Sequence, residues 1–154
     1  MTTLTTDRKA EDVMTSEPVC VRPSTTLREL AGTLREHEIS GVPVVDQQDR
    51  LIGIVSKTDL IMRCAEGTTS IPPALLFEML AEELEDDMGT SSDELVCVED
   101  FMSTDPVTVT RTTSVGDIAR TMFDDRIHRV VVVDADECPV GIISSLDVLG
   151  VFAP

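Results

Sequence analysis

The spacing of hydrophobic and polar positions along this chain changes in a fixed order, from strand-like to helical and back to strand-like. Val19 and Val21 are spaced as in a short strand, and two β-branched runs, Val42 to Val45 and Leu51 to Val55, come later. Polar residues Asp46 to Arg50 separate these runs and predict a hairpin connection. Between the first strand and the runs lies a stripe with helical spacing, made of Leu27, Leu30, Ala31 and Leu34.

Polar residues mark where the predicted helices begin. Thr26 and Glu29 have the spacing of a capping box at the start of the apolar stripe. Ser56 and Asp59 follow the last β-branched run, and a serine there favours the N-cap of a second helix. The pattern therefore predicts a unit of the order β-α-β-β-α.

The whole pattern recurs in the second half of the chain. Residues 14 to 60 align without a gap with residues 102 to 148 at an offset of 88, and 16 of the 47 aligned positions are identical. Neither copy has enough apolar surface for a domain alone, so we expect both to pack about a pseudo-twofold axis. The matching positions of the second copy are Val107, Val109, Ser114, Val115, Asp117, Ile118, Ala119, Met122, Val130 to Val133, Val140 to Ile143, Ser144 and Asp147.

An additional helix is predicted between the copies. Pro72 and Pro73 can form its first turn. Its apolar stripe would contain Leu75, Leu76, Met79, Leu80 and Leu84. Its other positions are strongly acidic, with Glu78, Glu82, Glu83, Glu85, Asp86 and Asp87. Two interpretations are open: a surface helix docked on the chain's own core, or an acidic element that binds a partner or a second copy.

Length and charge limit the possible functions. The 154 residues are 42% hydrophobic, enough for one compact body, and no apolar run has the ~18 residues of a membrane span. The N-terminus lacks the apolar segment of a secretion signal, so we expect a cytoplasmic protein that does not bind a membrane. A net charge of −17 disfavours nucleic acid, and it leaves open whether the acidity reflects a high-salt cytoplasm.

The sequence has no pattern typical of a metal site or an enzyme. Its four cysteines form no C-x-x-C pair, so neither zinc nor disulfides are predicted. It also lacks a nucleophile with a nearby base and a glycine-rich phosphate loop. We therefore expect no catalytic residues, no metal and no required cofactor.

Three separated motifs carry a resemblance to a known family. They are M-T-x-x-P-V-x-V from Met14, I-S-G-V-P-V-V-D from Ile39 and G-I-V-S-x-T-D from Gly53, and they recur in the same order from Met102. This order resembles the cystathionine β-synthase (CBS) domain, which occurs in tandem pairs. The resemblance implies an α/β fold with an N-terminal tail (1–12), CBS repeat 1 (13–62), a linker with the acidic helix (63–100) and CBS repeat 2 (101–154).

The resemblance also implies a function. CBS pairs commonly hold adenosine-containing ligands such as AMP, ADP, ATP or S-adenosylmethionine in two clefts, and they regulate partners without doing chemistry. The chain looks like a stand-alone CBS-pair protein, a homodimer that modulates an unidentified protein. The alternative is a ligand-independent dimerisation or scaffold protein that acts through its acidic helix.

The family roles map onto two sets of residues. Asp59 and Asp147 can each accept hydrogen bonds from both hydroxyls of a ribose, and Ser56 and Ser144 can reach the same sugar or a phosphate. The predicted site of repeat 1 consists of Thr15, Val19, Cys20, Ile39, Ser40, Gly41, Val42, Pro43, Ser56, Lys57, Thr58 and Asp59. The predicted site of repeat 2 consists of Ser103, Val107, Thr108, Ile127, His128, Arg129, Val130, Ser144 and Asp147.

The two sites should differ in chemistry. Thr58 supplies a hydroxyl where the second copy has Leu146, and His128 with Arg129 offers phosphate donors where the first copy has Ser40 and a glycine. A purely structural role is also open, because a serine and an aspartate three residues apart form a good helix N-terminus without any ligand.

Overall fold

The computed structural model describes residues 7–65 and 96–153, and it contains both helices and strands. The helices are α1 (Ala10–Val13), α2 (Leu27–Glu36), α3 (Lys57–Ala65), α4 (Val115–Asp125) and α5 (Ser145–Gly150), with a short 3-10 helix at Val98–Asp100. The strands are β1 (Thr15–Ser16), β2 (Gly41–Val45), β3 (Leu51–Ser56), β4 (Thr108–Val109), β5 (Arg129–Val133) and β6 (Pro139–Ser144). The predicted α/β class is confirmed, whereas the predicted acidic helix at 72–88 lies outside the described residues.

The described residues form two compact units. The first-copy unit contains residues 19–46, 52–65 and 96–105, and the second-copy unit contains residues 7–18, 47–51 and 106–153. The predicted repeat boundaries stay predictions, and each compact unit also contains the first residues of the other copy, 14–18 in the second-copy unit and 102–105 in the first-copy unit. The twofold packing of the repeats stays a prediction.

The second-copy unit is built on a four-stranded sheet in the order β1-β6-β5-β4. β5 and β6 form the predicted antiparallel hairpin, β4 runs parallel to β5, and β1 adds an antiparallel edge to β6. Alternate residues of these strands and the apolar stripe of α4 form the core. Its buried members are Ala10, Val115, Ile118, Met122, Val130, Val132, Ile143, Val148 and Val151.

The first-copy unit has the same plan with a shorter sheet. β2 and β3 lie side by side, and the predicted strand at Val19 and Val21 is reduced to one parallel bridge between Val21 and Val44. Pro43 explains the difference, because it has no N–H, whereas the equivalent Val131 donates its N–H to the Val107 carbonyl at 3.2 Å. The buried core residues are Val21, Leu27, Leu30, Ala31, Leu34, Val42, Val44, Val55, Leu60 and Val98.

The predicted helix starts are confirmed. Thr26 is the N-cap of α2, and its hydroxyl accepts a hydrogen bond from the Glu29 N–H at 3.1 Å. Glu29 completes the capping box by accepting from the Thr26 N–H at 3.2 Å. Ser114 caps α4 and accepts from the Asp117 N–H at 3.1 Å. These bonds satisfy N–H groups that an uncapped helix leaves without a partner.

Two segments dock on the units in an equivalent way. We call residues 8–16 the N-terminal arm and residues 96–103 the second arm. The Ala10 N–H donates to the Thr113 carbonyl at 2.8 Å, and the Val98 N–H donates to the Thr25 carbonyl at 2.8 Å. Both pairs are related by the offset of 88 residues that relates the copies. The arm in which each copy begins is therefore part of the unit built on the other copy.

A methionine in each arm packs against a glycine of the unit that holds the arm. Met14 lies on Gly141 of β6, and Met102 lies on Gly53 of β3, so close that a Cβ atom at either glycine would overlap the methionine sulfur. Both contacts use residues that are identical between the copies. The glycines thus allow the arms to lie flat against the strands.

No helix within the described ranges is long and apolar enough to cross a membrane.

Candidate functional site

The candidate site of the first-copy unit lies where β3 ends and α3 begins. One carboxylate oxygen of Asp59, Oδ2, accepts hydrogen bonds from the Ser56 N–H at 2.8 Å and from the Ser56 hydroxyl at 3.0 Å. The Asp59 N–H donates back to the Ser56 hydroxyl at 3.2 Å. Ser56 is buried and Asp59 is half-buried, so the junction is fixed in place yet reachable from solvent.

The second-copy unit repeats this geometry where β6 ends and α5 begins. Oδ2 of Asp147 accepts from the Ser144 N–H at 2.8 Å, and the Asp147 N–H donates to the Ser144 hydroxyl at 3.2 Å. Both residues are half-buried. The structural role of the Ser-x-x-Asp motifs is thus confirmed, since both motifs cap a helix N-terminus.

Capping leaves part of each carboxylate available. In the described part of the chain no group donates a hydrogen bond to Oδ1 of Asp59 or Asp147. A carboxylate oxygen has two acceptor sites, and Oδ1 can therefore receive a ligand hydroxyl while Oδ2 holds the helix start. Structural and ligand-binding roles of these residues are chemically compatible.

A second contact ties each junction to the strand beside it. The Lys57 N–H donates to the Ser40 carbonyl at 2.9 Å, and the Ser145 N–H donates to the His128 carbonyl at 2.8 Å. These equivalent bonds hold the residue at the entrance of β2 or β5 next to the Ser-x-x-Asp turn. Ser40 and His128 are both exposed at this entrance, so their side chains can face a ligand.

The structure places eleven of the twelve residues predicted for the site of repeat 1 in the first-copy unit. Half-buried Val19 and Cys20 come just before Val21, whose N–H donates to the Pro43 carbonyl at 3.0 Å. The buried members are Gly41, Val42, Pro43 and Ser56, the half-buried ones Val19, Cys20, Ile39, Lys57 and Asp59, and the exposed ones Ser40 and Thr58.

Eight of the nine residues predicted for the site of repeat 2 lie together in the second-copy unit. β4 runs beside β5, which brings Thr108 opposite Val131 and close to the His128 entrance. Val130 is buried, Val107, Ile127, Arg129, Ser144 and Asp147 are half-buried, and Thr108 and His128 are exposed. His128 and Arg129 are thus displayed at the start of β5.

The two remaining residues lie on the arms. Thr15 belongs to repeat 1 in sequence, but β1 pairs with β6 and sets Thr15 opposite Ile142, two residues before Ser144. Ser103 belongs to repeat 2 in sequence, and it forms a bridge with Ile54, two residues before Ser56. The structure therefore brings each of these hydroxyl residues to the Ser-x-x-Asp junction of the other copy.

The sequence model of the CBS domain matches the chain twice, at residues 10–66 and 98–154, and each match starts at an arm. The chain belongs to the CBS domain family. Both copies are CBS repeats, and the chain carries a CBS pair.

Known CBS proteins resemble the chain over most of its length. It is 29% identical over 130 residues to the chloroplastic CBS domain-containing protein CBSX2 of Arabidopsis thaliana, covering 80% of the chain and 54% of CBSX2. The solved structure of CBSX2 in complex with AMP superposes with a TM-score of 0.69, at 26% identity and with 93% and 94% of the two chains covered.

A second solved structure shows the same fold. The CBS domain pair of protein MJ0100, in complex with 5-methylthioadenosine and S-adenosyl-L-methionine, matches with a TM-score of 0.74 at 22% identity, covering 94% of this chain and 99% of that one. The chain spans only 23 to 55% of the length of three curated relatives, among them an inosine-5'-monophosphate dehydrogenase of Methanocaldococcus jannaschii.

One apolar groove of this CBS pair was not predicted. It lies between α4 and α5, has a volume of about 530 Å³, and is lined by Ala119, Met122, Phe123, Arg126, Ile127, His128, Ser145, Val148 and Leu149. No sequence pattern indicated this groove, because Phe123 falls outside the core-facing stripe of α4. Phe123 is 78% exposed and Leu149 61% exposed, which is unusual for large apolar side chains.

Metal ligands do not cluster in the described ranges, where no group of three or more His, Cys, Asp or Glu residues could hold an ion.

Cys97 has a distinct electrostatic environment. Burial raises the pKa of the Cys97 thiol, and the carboxylates of Asp100, Glu99 and Glu29 raise this pKa further. Cys97 lies in the second arm, away from both Ser-x-x-Asp junctions in sequence.

Proposed function

We propose that this CBS pair binds an adenosine-containing ligand and thereby regulates a partner protein, without catalysis of its own. The observation that carries the proposal is the duplicated junction, in which Asp59 and Asp147 each keep one carboxylate oxygen available beside a capped helix start. A ribose presents two neighbouring hydroxyls, and a fixed carboxylate oxygen can accept from them.

The relatives support the choice of ligand class. CBSX2 has been solved with AMP, and the CBS pair of MJ0100 with 5-methylthioadenosine and S-adenosyl-L-methionine. These molecules share an adenosine moiety and differ in the group at its 5′ end. The proposed ligand is therefore defined by its adenosine, and the 5′ group is left to be determined by titration.

The first-copy unit offers an apolar surface and several hydrogen-bond donors for such a ligand. The half-buried side chains of Val19, Cys20 and Ile39 supply apolar surface for an adenine ring. Lys57 and Thr58 occupy the first turn of α3, where a cation, a hydroxyl and helix N–H groups favour an anionic 5′ group.

The second-copy unit should discriminate by charge. Leu146 is 75% exposed at the position equivalent to Thr58, so this junction lacks that hydroxyl. His128 and Arg129 compensate with donors at the entrance of β5. Replacing both by alanine should weaken ATP and ADP binding more than adenosine binding, and added salt should reduce the difference.

Calorimetric titration with AMP, ADP, ATP and S-adenosylmethionine tests the proposal. Asp59→Ala should weaken one site at least tenfold for every adenosine ligand, because a hydrogen bond to a charged acceptor contributes about 1.5–3 kcal/mol. The matched control is Asp117→Ala, which removes an aspartate at the same position of α4 outside the site. Lack of binding by all four ligands at millimolar concentration would overturn the proposal.

The alternative function is assembly without a ligand, and the α4–α5 groove is the observation that favours it. Four large apolar side chains are exposed on this part of the second-copy unit, Phe123, Leu146, Leu149 and Phe152. We propose a second copy as the occupant, because Arg126 and its acidic neighbours Asp124 and Asp125 allow a twofold contact to pair opposite charges. Such a homodimer is compatible with ligand sensing.

Light scattering at micromolar concentration tests this contact. The 16.8 kDa chain should appear as a dimer, and Phe123→Asp should give a monomer without lowering the free energy of unfolding of each subunit. A wild-type mass of one chain would overturn the homodimer. Retention of a ligand-free dimer by a chain that binds no adenosine ligand would favour the scaffold function.

A further inference from the structure

The thioether sulfurs of two methionines occupy equivalent positions against strands of the two units. Met14 packs on Gly141 and against the core of the second-copy unit, and Met102 packs on Gly53 and against the core of the first-copy unit. A Cβ atom at either glycine would lie less than 3.0 Å from the methionine sulfur. Each sulfur therefore fills the space that a side chain on the strand would take.

The methionines of the described ranges differ in their access to solvent. Met62 on α3 is 55% exposed, Met122 in the core is 7% exposed, and Met14 and Met102 are half-buried. A half-buried side chain becomes reachable for a small solute through local opening, which does not require unfolding of the whole unit. The sulfurs of the arms are thus intermediate between a freely accessible sulfur and a protected one.

The backbone holds each arm by a short series of hydrogen bonds. In the N-terminal arm the Glu11 N–H donates to the Arg111 carbonyl at 3.0 Å, and in the second arm the Glu99 N–H donates to the Pro23 carbonyl at 3.1 Å. Short segments with few such contacts open at lower free energy than the core of a domain. Loss of one well-packed apolar side chain should therefore shift an arm measurably toward its undocked state.

We propose that Met14 and Met102 are sites of reversible oxidation to the sulfoxide, and that oxidation releases the arm. The oxidant is a peroxide, with hydrogen peroxide as the simplest case. A sulfur lone pair attacks one peroxide oxygen, so that an S–O bond forms and the O–O bond breaks. The departing hydroxide takes the proton of the transferred hydroxyl and becomes water, and the sulfur is left as a sulfoxide.

A sulfoxide cannot keep the contact that the thioether makes. The side of the sulfur that faces the glycine is already in contact with the strand and has no room for an oxygen atom. On the other sides the oxygen brings a hydrogen-bond acceptor to the edge of an apolar core, where it has no partner unless the side chain turns to water. Oxidation should therefore favour the undocked arm.

The response is built twice, once in each unit. Oxidation of Met14 loosens the N-terminal arm and uncovers β6, whereas oxidation of Met102 loosens the second arm and uncovers β3. Methionine sulfoxide reductases restore the thioether, so an arm released in this way can dock again. The chain would then report the presence of an oxidant independently of any nucleotide.

Peroxide treatment of the full chain tests the proposal, with peptide mass spectrometry for oxidation and hydrogen exchange for docking. Met62 should oxidise first, Met14 and Met102 later, and Met122 only when the chain unfolds. At a dose that oxidises Met14 and Met102 and spares Met122, peptides covering residues 8–17 and 96–104 should exchange about tenfold faster. Methionine sulfoxide reductases A and B should restore the original rates.

Leucine variants assign the effect to single sulfurs. Met14→Leu keeps an apolar side chain of similar volume and removes the oxidisable sulfur. Its N-terminal arm should exchange at the same rate with and without peroxide, while the second arm still accelerates. Met102→Leu should do the reverse, so each variant is the matched control of the other, and Met62→Leu should leave both responses unchanged.

A polar variant tests the cause of release without any oxidant. Met14→Gln introduces a hydrogen-bonding side chain of similar length, and it should speed exchange of the N-terminal arm in the absence of peroxide. Oxidation of both arm methionines with unchanged exchange in both arms would overturn the proposal. Oxidation of Met14 and Met102 only together with Met122 would also overturn it, as would a response of both arms in either leucine variant.

Discussion

At the scale of single residues, two glycines determine how closely the arms approach the strands. A Cβ atom at Gly53 would lie 2.7 Å from Met102 Sδ and 2.9 Å from the carbonyl oxygen of Ser103. The three atoms nearest to a Cβ atom at Gly141 would be Sδ, Cγ and Cβ of Met14. A flexible side chain can move away, but a backbone carbonyl that forms a bridge cannot do so without loss of that bridge.

Substitution of these glycines should therefore destabilise the chain unequally. Gly53→Ala should lower the free energy of unfolding by about 1–3 kcal/mol, and Gly141→Ala by less. Gly32→Ala is the control, because nothing lies within 4 Å of its added Cβ in α2, and it should stabilise the chain by about 0.5–1 kcal/mol. Urea unfolding measures all three, and equal effects at residues 53 and 141 would contradict the distinction.

The environment of Cys97 gives a prediction about pH. Its raised pKa keeps the thiol protonated at pH values at which a free cysteine, with a pKa of about 8.5, already ionises. The pH midpoint of alkylation by iodoacetamide, followed by mass spectrometry, should lie higher for the folded chain than for the chain in urea. Because the folded thiol holds its proton more tightly, the free energy of unfolding should fall as pH rises past the ordinary value.

Glu99→Gln removes one cause of the raised pKa and should lower the alkylation midpoint of folded Cys97. Glu11→Gln alters the equivalent residue of the N-terminal arm and should leave that midpoint unchanged. A midpoint that does not differ between the folded and urea-unfolded chains would contradict the assignment.

The sequence predicted the local turns of the candidate site, while the ligand-binding role of its residues stays a prediction. The Ser-x-x-Asp turns were predicted as helix starts from local spacing, and the structure has them at Ser56 and Ser144. Local sequence assigns Thr15 to repeat 1 and Ser103 to repeat 2. Pairing with β6 or β3 is a long-range contact, and no local pattern in the sequence records it.

At the scale of elements, periodicity and capping predicted the two long helices and the two hairpins. The apolar stripes of α2 and α4 occupy whole turns, and their cap residues mark the start of each. α1, β1 and the 3-10 helix were not predicted, because two to four residues are too few to show a period. The repeat alignment does retain Met14 with Met102 and Gly53 with Gly141, but it cannot tell which methionine meets which glycine.

The caps of α2 and α4 give a prediction at this scale. Thr26→Ala and Ser114→Ala should each lower the free energy of unfolding by about 1 kcal/mol, because each leaves a helix N–H without its partner. Thr26→Ser and Ser114→Thr retain a hydroxyl and should have much smaller effects in the same urea titration. Equal losses for the alanine and hydroxyl variants would show that packing, and not capping, is responsible.

At the scale of the whole molecule, each compact unit contains residues from both copies. Deletion of residues 1–16 should therefore destabilise the second copy more than the first. Hydrogen exchange should accelerate in α4 and β6, which lose hydrogen bonds and the Met14 contact, while α2 and β2 stay closer to wild type. Faster hydrogen exchange confined to the first copy would contradict the docking of each arm on the unit built on the other copy.

The equivalence of the arms has a consequence for the history of the gene. A one-copy ancestor built on this plan would be complete only when two subunits lent each other their arms, which makes it an obligate homodimer. Duplication and fusion of the gene would keep every contact, but contacts between two subunits would become contacts within one chain. Joining the two copies in one chain would replace a concentration-dependent encounter with an intramolecular one, and each half would be free to diverge in sequence.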